Sequence, residues 1–127
     1  MNDDRVEDRE QPWQVTIVAQ ELTEHATVIR VTGEVLGVGA AALRRSLQDA
    51  LRRSPELLIV DLSGVADIAS DGIDVLHWAA GSAAQEDTGF CLVDTPDGAL
   101  RAGLDGHRSA EAFEIFSSVT DAMRDPP

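Results

Sequence analysis

Three stretches of this chain hold side chains whose types and spacing could do chemistry. The first is Gly37-Val38-Gly39-Ala40-Ala41-Ala42, a G-x-G-x-x-A pattern. Glycines so spaced let backbone amides approach a pyrophosphate at a helix N-terminus. Asp61, 22 residues past Gly39, stands where a ribose hydroxyl would be bound. Two features oppose that use. Gly33-Glu34 breaks the preceding strand before the glycine pair arrives, and 127 residues leave no room for a second mononucleotide half and a substrate domain. The plainer reading is a loop whose alanines start a helix, so a small nucleotide-binding protein or enzyme ranks third among the functions considered.

The second stretch is Leu57-Leu58-Ile59-Val60-Asp61-Leu62, an apolar run closing on a carboxylate. It is similar to the phospho-acceptor strand of a response-regulator receiver. A receiver also needs an acidic pair after its first strand to hold Mg²⁺, and a lysine to contact the phosphoryl group. No adjacent acidic pair follows Trp13–Ala19, and the sequence contains no lysine. Asp61 is therefore expected to be structural, accepting backbone N–H groups from a Ser63–Asp67 loop.

The third stretch runs from Asp67 through Ala69, Ser70, Asp71 and Gly72 to Asp74. A helix is expected to open near Asp71, and a carboxylate there is favoured by the helix dipole by about 0.3–1 kcal/mol. Asp71 serves equally as an ordinary N-cap or first-turn acid. Ser70, the loop's hydroxyl, is a residue common just before a helix. Elsewhere, His25, His77 and His107 have no metal-ligand spacing with Cys91, and no nucleophile motif supports a Ser/His/Asp arrangement. No metal, cofactor or catalytic residue is expected.

The elements that must position these residues follow from periodicity. Trp13–Ala19 alternates weakly, as an edge strand does, and Ala26–Thr32 is β-branched and alternating. Glu21–His25 is a polar turn, which makes the pair a hairpin, and Gly33 is expected to end the second strand. Ala40–Arg53 places Leu43, Leu47, Ala50 and Leu51 on one helical face before Pro55 stops it. Leu57–Leu62 reads as a strand buried on both faces. The helix from Asp71 is expected to turn Ile73, Leu76, Ala80 and Ala83 inward and end by Gly89. Phe90–Val93 is a strand, Pro96–Leu104 a short helix, Phe113–Phe116 a last strand and Val119–Met123 a closing helix. The order is ββαβαβαβα, an α/β fold with a small mixed sheet and helices mainly on one face.

Composition bounds the function. There are 23 acidic residues against 10 basic ones, all arginine, for a formal charge of −13. That sign disfavours direct nucleic-acid binding and suits a partner with a basic patch. No apolar run approaches the roughly 20 residues of a membrane span. Met1–Pro12 holds five acids and two arginines, so residues 1–12 are expected to form a disordered acidic tail before a domain at 13–124, with 125–127 a short C-terminal end. The acidic N-terminus has no apolar h-region of a secretory signal, and one cysteine cannot form an internal disulfide; cytoplasm is the expected compartment. Arg44, Arg45, Arg52 and Arg53 read as a solvated helix face, and Trp78 as a buried residue or a partner anchor.

The segment Asp61-Leu62-Ser63-Gly64-Val65-Ala66-Asp67-Ile68-Ala69-Ser70-Asp71-Gly72-Ile73 resembles the hallmark of STAS domains in anti-sigma-factor antagonists. In that family a D-L-S/T-x-V strand end leads through a short loop into D-S-S-G-L at a helix start. Val31-Thr32-Gly33-Glu34-Val35 resembles the family's G-E-L-D turn, and Phe113–Phe116 with Asp121-Ala122 its final strand and helix. The resemblance implies a non-enzymatic regulatory module. In such antagonists the second serine of D-S-S-G is phosphorylated by a serine kinase that is also the anti-sigma factor; unphosphorylated, the antagonist binds that kinase and frees the sigma factor. It further implies a partner surface of Asp67, Ala69, Ser70, Asp71, Gly72, Asp74 and Trp78, with Gly33, Glu34, Asp61 and Ser63 shaping the loops. This sequence departs from the pattern at three places: Asp71 stands at the acceptor serine, Ala69 at the acid before the serines, and Leu36 at the aspartate closing G-E-L-D. The implied protein is thus an antagonist with a fixed carboxylate at the switch and Ser70 as its remaining hydroxyl and alternative phosphate acceptor, or a non-switching scaffold or phospho-mimic relative.

Overall fold

The computed structural model describes residues 15–105 and 113–124. The strands are β1 (Thr16–Glu21), β2 (Ala26–Val35), β3 (Leu57–Ile68), β4 (Gly89–Val93) and β5 (Ile115–Phe116). The helices are α1 (Val38–Arg52), α2 (Ser70–Gln85), α3 (Ala99–Asp105) and α4 (Val119–Arg124). Their order is the expected ββαβαβαβα. The expected tail, the start of the first strand, His107 and residues 125–127 lie outside the described residues.

The five strands form one sheet in the order β1-β2-β3-β4-β5. β1 and β2 pair antiparallel, the hairpin expected from the polar turn, and β2, β3, β4 and β5 run parallel. The pleat divides the core. On one face Ile29, Leu58, Val60 and Leu92 meet Leu43 and Leu47 of α1, Leu76 of α2 and Leu100 of α3. On the other, Val28, Ile59, Cys91 and Val93 meet Ala122 of α4. Three helices therefore share one face, because the right-handed crossovers between parallel strands place them there.

Local readings differ in instructive ways. β2 does not stop at Gly33 but runs on to Val35, with Gly33 at φ 97° and register shifts on either side of it. A glycine in the left-handed region accommodates a bulge without ending the ladder. β3 likewise does not close at Leu62; the stretch expected to be a Ser63–Asp67 loop is strand, paired parallel to β2 through Thr32↔Gly64, Gly33↔Val65 and Glu34↔Asp67. Gly64 is what permits this, since a Cβ there would lie 2.6 Å from Thr32 Cγ2. On α2 it is Ala79 that is fully buried and Ala80 that is half-buried. Small side chains gave the sequence no strong face to read.

Candidate functional site

β2 and β3 end side by side, and each hands directly to a helix. Val35 closes β2, Leu36 and Gly37 turn the chain, and α1 begins; Ile68 closes β3, Ala69 caps, and α2 begins. The junctions are tied together by backbone: Ala69 N–H donates to Val35 O at 3.1 Å. Two glycines allow the approach. A Cβ on Gly72 would lie 2.6 Å from Val35 O and 2.8 Å from Ile68 Cγ1, and one on Gly39 would lie 2.5 Å from Glu34 O. No real Cβ fits at such distances, so both helices reach the sheet edge because glycine stands at their first turns.

Neither helix carries a side-chain cap hydrogen bond. Asp71 is a first-turn acid of α2, and its carboxylate reaches across the junction. Gly37 N–H donates to Asp71 Oδ2 at 2.8 Å, across 34 residues of sequence. Gly37 is the N-cap of α1, at φ 55°. One exposed carboxylate thus lies at the positive ends of two helices at once, holding the turn of one from the first turn of the other. Gly39 N–H and Ala41 N–H are bonded to Leu36 O and Gly37 O. Three amides of this stretch, those of Gly37, Gly39 and Ala41, therefore already have partners, which argues against the dinucleotide reading.

The residues expected to form a partner surface fall in two groups. Ser70, Asp71 and Asp74 are exposed, Ala69 is half-buried and Gly72 buried beneath them; Asp67 is exposed and stands opposite half-buried Glu34 in the β2–β3 register. These share the end of the parallel strands. Trp78 is half-buried, packs against the larger core and lies with Arg44 over its ring at 4.2 Å. It sits roughly 10 Å along α2 from Asp71, by helical rise. Asp61 and Ser63 belong elsewhere. Asp61 Oδ1 accepts from Ser63 N–H at 3.0 Å and Ser63 Oγ–H at 2.7 Å, and its other oxygen lies 3.8 Å from Arg30 Nε. The two bonds with Ser63 lie within β3, so where Asp61 was expected to hold a Ser63–Asp67 loop it bonds to a residue of its own strand. Gly33 likewise shapes a bulge within β2.

Sequence reasoning missed Leu36 and Val38. They bracket Gly37 and are 40% and 85% exposed, beside the residue that Asp71 holds. The available signal was the pair of large aliphatics flanking a glycine at a strand-to-helix turn, where a chain with a packed loop would bury at least one. Among the described residues no group of three or more His, Cys, Asp or Glu is placed to hold a metal ion, and no helix is long and apolar enough to cross a membrane.

Comparison with known proteins agrees with this architecture. An anti-sigma factor antagonist from Mycobacterium paratuberculosis superposes with a TM-score of 0.80 at 26% identity, over 89% of this chain and 94% of that one. The anti-sigma factor antagonist SpoIIAA in its unphosphorylated form gives 0.71 at 14% identity, over 85% and 93%. The murine anion transporter Solute Carrier 26 family member A9 gives 0.66 at 15% identity, over 94% of this chain but 23% of the transporter. The last two show the fold alone. Among curated proteins no sequence matches. The family model described as Mlab, STAS domain matches residues 18–105, more than half of the sequence, and the chain belongs to the STAS-domain family.

Proposed function

We propose that this chain is a non-catalytic regulatory binding module of the cytoplasm, an anti-sigma-factor antagonist whose partner is an anti-sigma factor of the serine-kinase type. Asp71 occupies the place of the phospho-acceptor serine. The observation that carries this reading is the position of Asp71: an exposed carboxylate in the first turn of α2, at the edge where both strand-to-helix junctions meet. The likeness to the mycobacterial antagonist supports it at 26% identity. The partner-facing residues are Asp67, Ala69, Ser70, Asp71, Gly72, Asp74 and Trp78. A surface with this charge recognises a basic protein patch and neither nucleic acid nor an anionic membrane.

A second reading has its own observation. Because Asp71 is bonded to Gly37 N–H, the carboxylate also fastens the turn before α1. That favours a non-switching module, a scaffold or a permanent phospho-mimic, over one that cycles with a kinase. Both readings place the partner at the same edge.

Direct titration separates module from enzyme. The purified chain is expected to bind one of the kinase-type anti-sigma factors of its own cytoplasm, found by co-purification and confirmed calorimetrically with purified components. It is expected to leave its tryptophan fluorescence unchanged on addition of NAD, ATP or ADP. Saturable nucleotide binding, or no affinity for any such kinase, would contradict the proposal.

A further inference from the structure

The edge that carries Asp71 also carries an apolar groove. It has a volume of about 550 Å³, and Val15, Glu34, Leu36, Val38 and Ala42 are among the residues that form it. Val38 is 85% exposed and Leu36 40%; the other large exposed apolar residues among those described, Val18 and Met123, lie in other elements. Leu36 and Val38 flank one glycine and line one groove, so their exposed apolar surface is shared and not scattered.

The groove is held in shape before anything binds. Gly37, between the two aliphatics, is at φ 55°; its N–H is held by Asp71 Oδ2 at 2.8 Å, and Gly39 N–H by Leu36 O at 2.9 Å. A surface already ordered loses little freedom on association. Its surroundings are acidic. Glu34 lines it, Asp67 stands opposite Glu34, Asp71 clasps its turn, and Asp74 follows Asp71 at i+3 on α2. Among the described residues the ion pairs engage Glu24, Asp49, Glu56 and Asp61, and none of these four acids. The groove therefore presents an apolar seat beside carboxylates that no cation of the described fold neutralises.

We infer that the groove of Val15, Leu36, Val38 and Ala42 is a docking surface for a partner-protein segment that presents an apolar side chain next to an arginine or lysine. The apolar side chain enters between Leu36 and Val38, and the cation faces Asp71 and Glu34. This rests on the reading that the edge meets a partner, and it deepens that reading by naming the partner's chemistry. Apolar burial in the groove supplies affinity that does not depend on a phosphate switch at Asp71.

The test uses a random peptide library displayed on phage and panned on the full-length chain, with the winning peptides then synthesised and titrated. Enriched peptides are expected to pair an aliphatic or aromatic residue with a neighbouring arginine or lysine. They are expected to lose roughly tenfold or more in affinity for Val38→Asp, the scale of a central interface contact. Val38→Asp should melt with the wild type, since Val38 is solvent-exposed. Leu36→Ser gives a second variant with the same expected loss. No enrichment, acidic consensus peptides, or equal binding by Val38→Asp would overturn the inference. So would enrichment that appears only after residues 1–12 are removed, which would make the chain's own first segment the occupant. Binding that weakens as the chain self-associates would make the occupant a second copy. An anti-sigma kinase that binds wild type and Val38→Asp alike would sink the groove and leave the proposed function standing. Peptide selection as described, without affinity for any such kinase, would do the reverse.

Discussion

The two ends of the parallel strands are built by opposite rules. At the C-terminal end, α1 and α2 press their first turns onto the ends of β2 and β3 at Gly39 and Gly72, with less room than one Cβ would need. At the N-terminal end the sheet opens into a cavity of about 360 Å³, with Leu57, Phe90, Cys91, Phe116 and Met123 among its walls. Its mouth holds His25, whose Nδ1 lies 3.0 Å from Glu56 Oε2. Backbone contacts set the geometry of the first end, while side chains loosely fill the second. Substitution should therefore matter most at the closed end, where the backbone leaves no space for an added methyl group at Gly39 or Gly72.

The largest expected effect comes from placing a methyl group where the ends close. Gly72→Ala must displace Val35 or Ile68 and should cost about 1–3 kcal/mol, as overpacking does. A thermal melt reads this as a drop of several degrees, and an unchanged melt would show that the junction has slack. Asp71→Ala removes the acceptor of Gly37 N–H and should cost about 1 kcal/mol, the net worth of one hydrogen bond. Hydrogen exchange at the Gly37 amide should quicken in that variant. Exchange as slow as in the wild type would mean that Asp71 does not hold the turn.

Gly81, on the same helix as Gly72 but toward its other end, should respond with the opposite sign. Nothing lies within 4 Å of the position of its Cβ, so Gly81→Ala should stabilise by about 0.5–1 kcal/mol through helix propensity. A destabilised Gly81→Ala would show that proximity to the sheet edge is not what separates the two glycines. The smallest effect belongs to Asp61. Asp61→Asn keeps an acceptor for Ser63 and should lower stability only slightly, and neither form should react with acetyl phosphate. Acid-labile, Mg²⁺-dependent phosphorylation of the wild type would revive the receiver reading.

Most of the fold was legible because its elements announce themselves locally. The face of Leu43, Leu47 and Leu51, the run Leu57–Leu62 and the stop at Pro55 each need only a few residues to be read. The strand ends were not legible, for one physical reason. Gly33 and Gly64 look like breakers in sequence, yet one supplies a bulge and the other makes room for Thr32, so both strands continue past them. In the site, the place of Asp71 in the first turn of a helix was readable from the segment itself. Its bond to Gly37 was not, because that contact joins positions 34 apart and exists only once two strands end together. The exposure of Val38 was hidden too, since a valine entering a helix ordinarily reads as core.

On the proposed function, Asp71 holds this edge in a phosphorylated-like state that lowers, without abolishing, its affinity for a serine-kinase partner. One carboxylate carries less charge than a phosphate and fewer acceptor oxygens, but at the centre of a contact it must still be desolvated or matched by a cation. The measurement is the affinity of wild type and Asp71→Ser for a purified kinase-type anti-sigma factor, with and without ATP, with the phosphorylated residue located by mass spectrometry. Asp71→Ser is expected to bind more tightly without ATP and to lose that gain once phosphorylated, while the wild type is indifferent to ATP. Equal affinities for the two forms, or phosphate on Ser70 of the wild type, would contradict it.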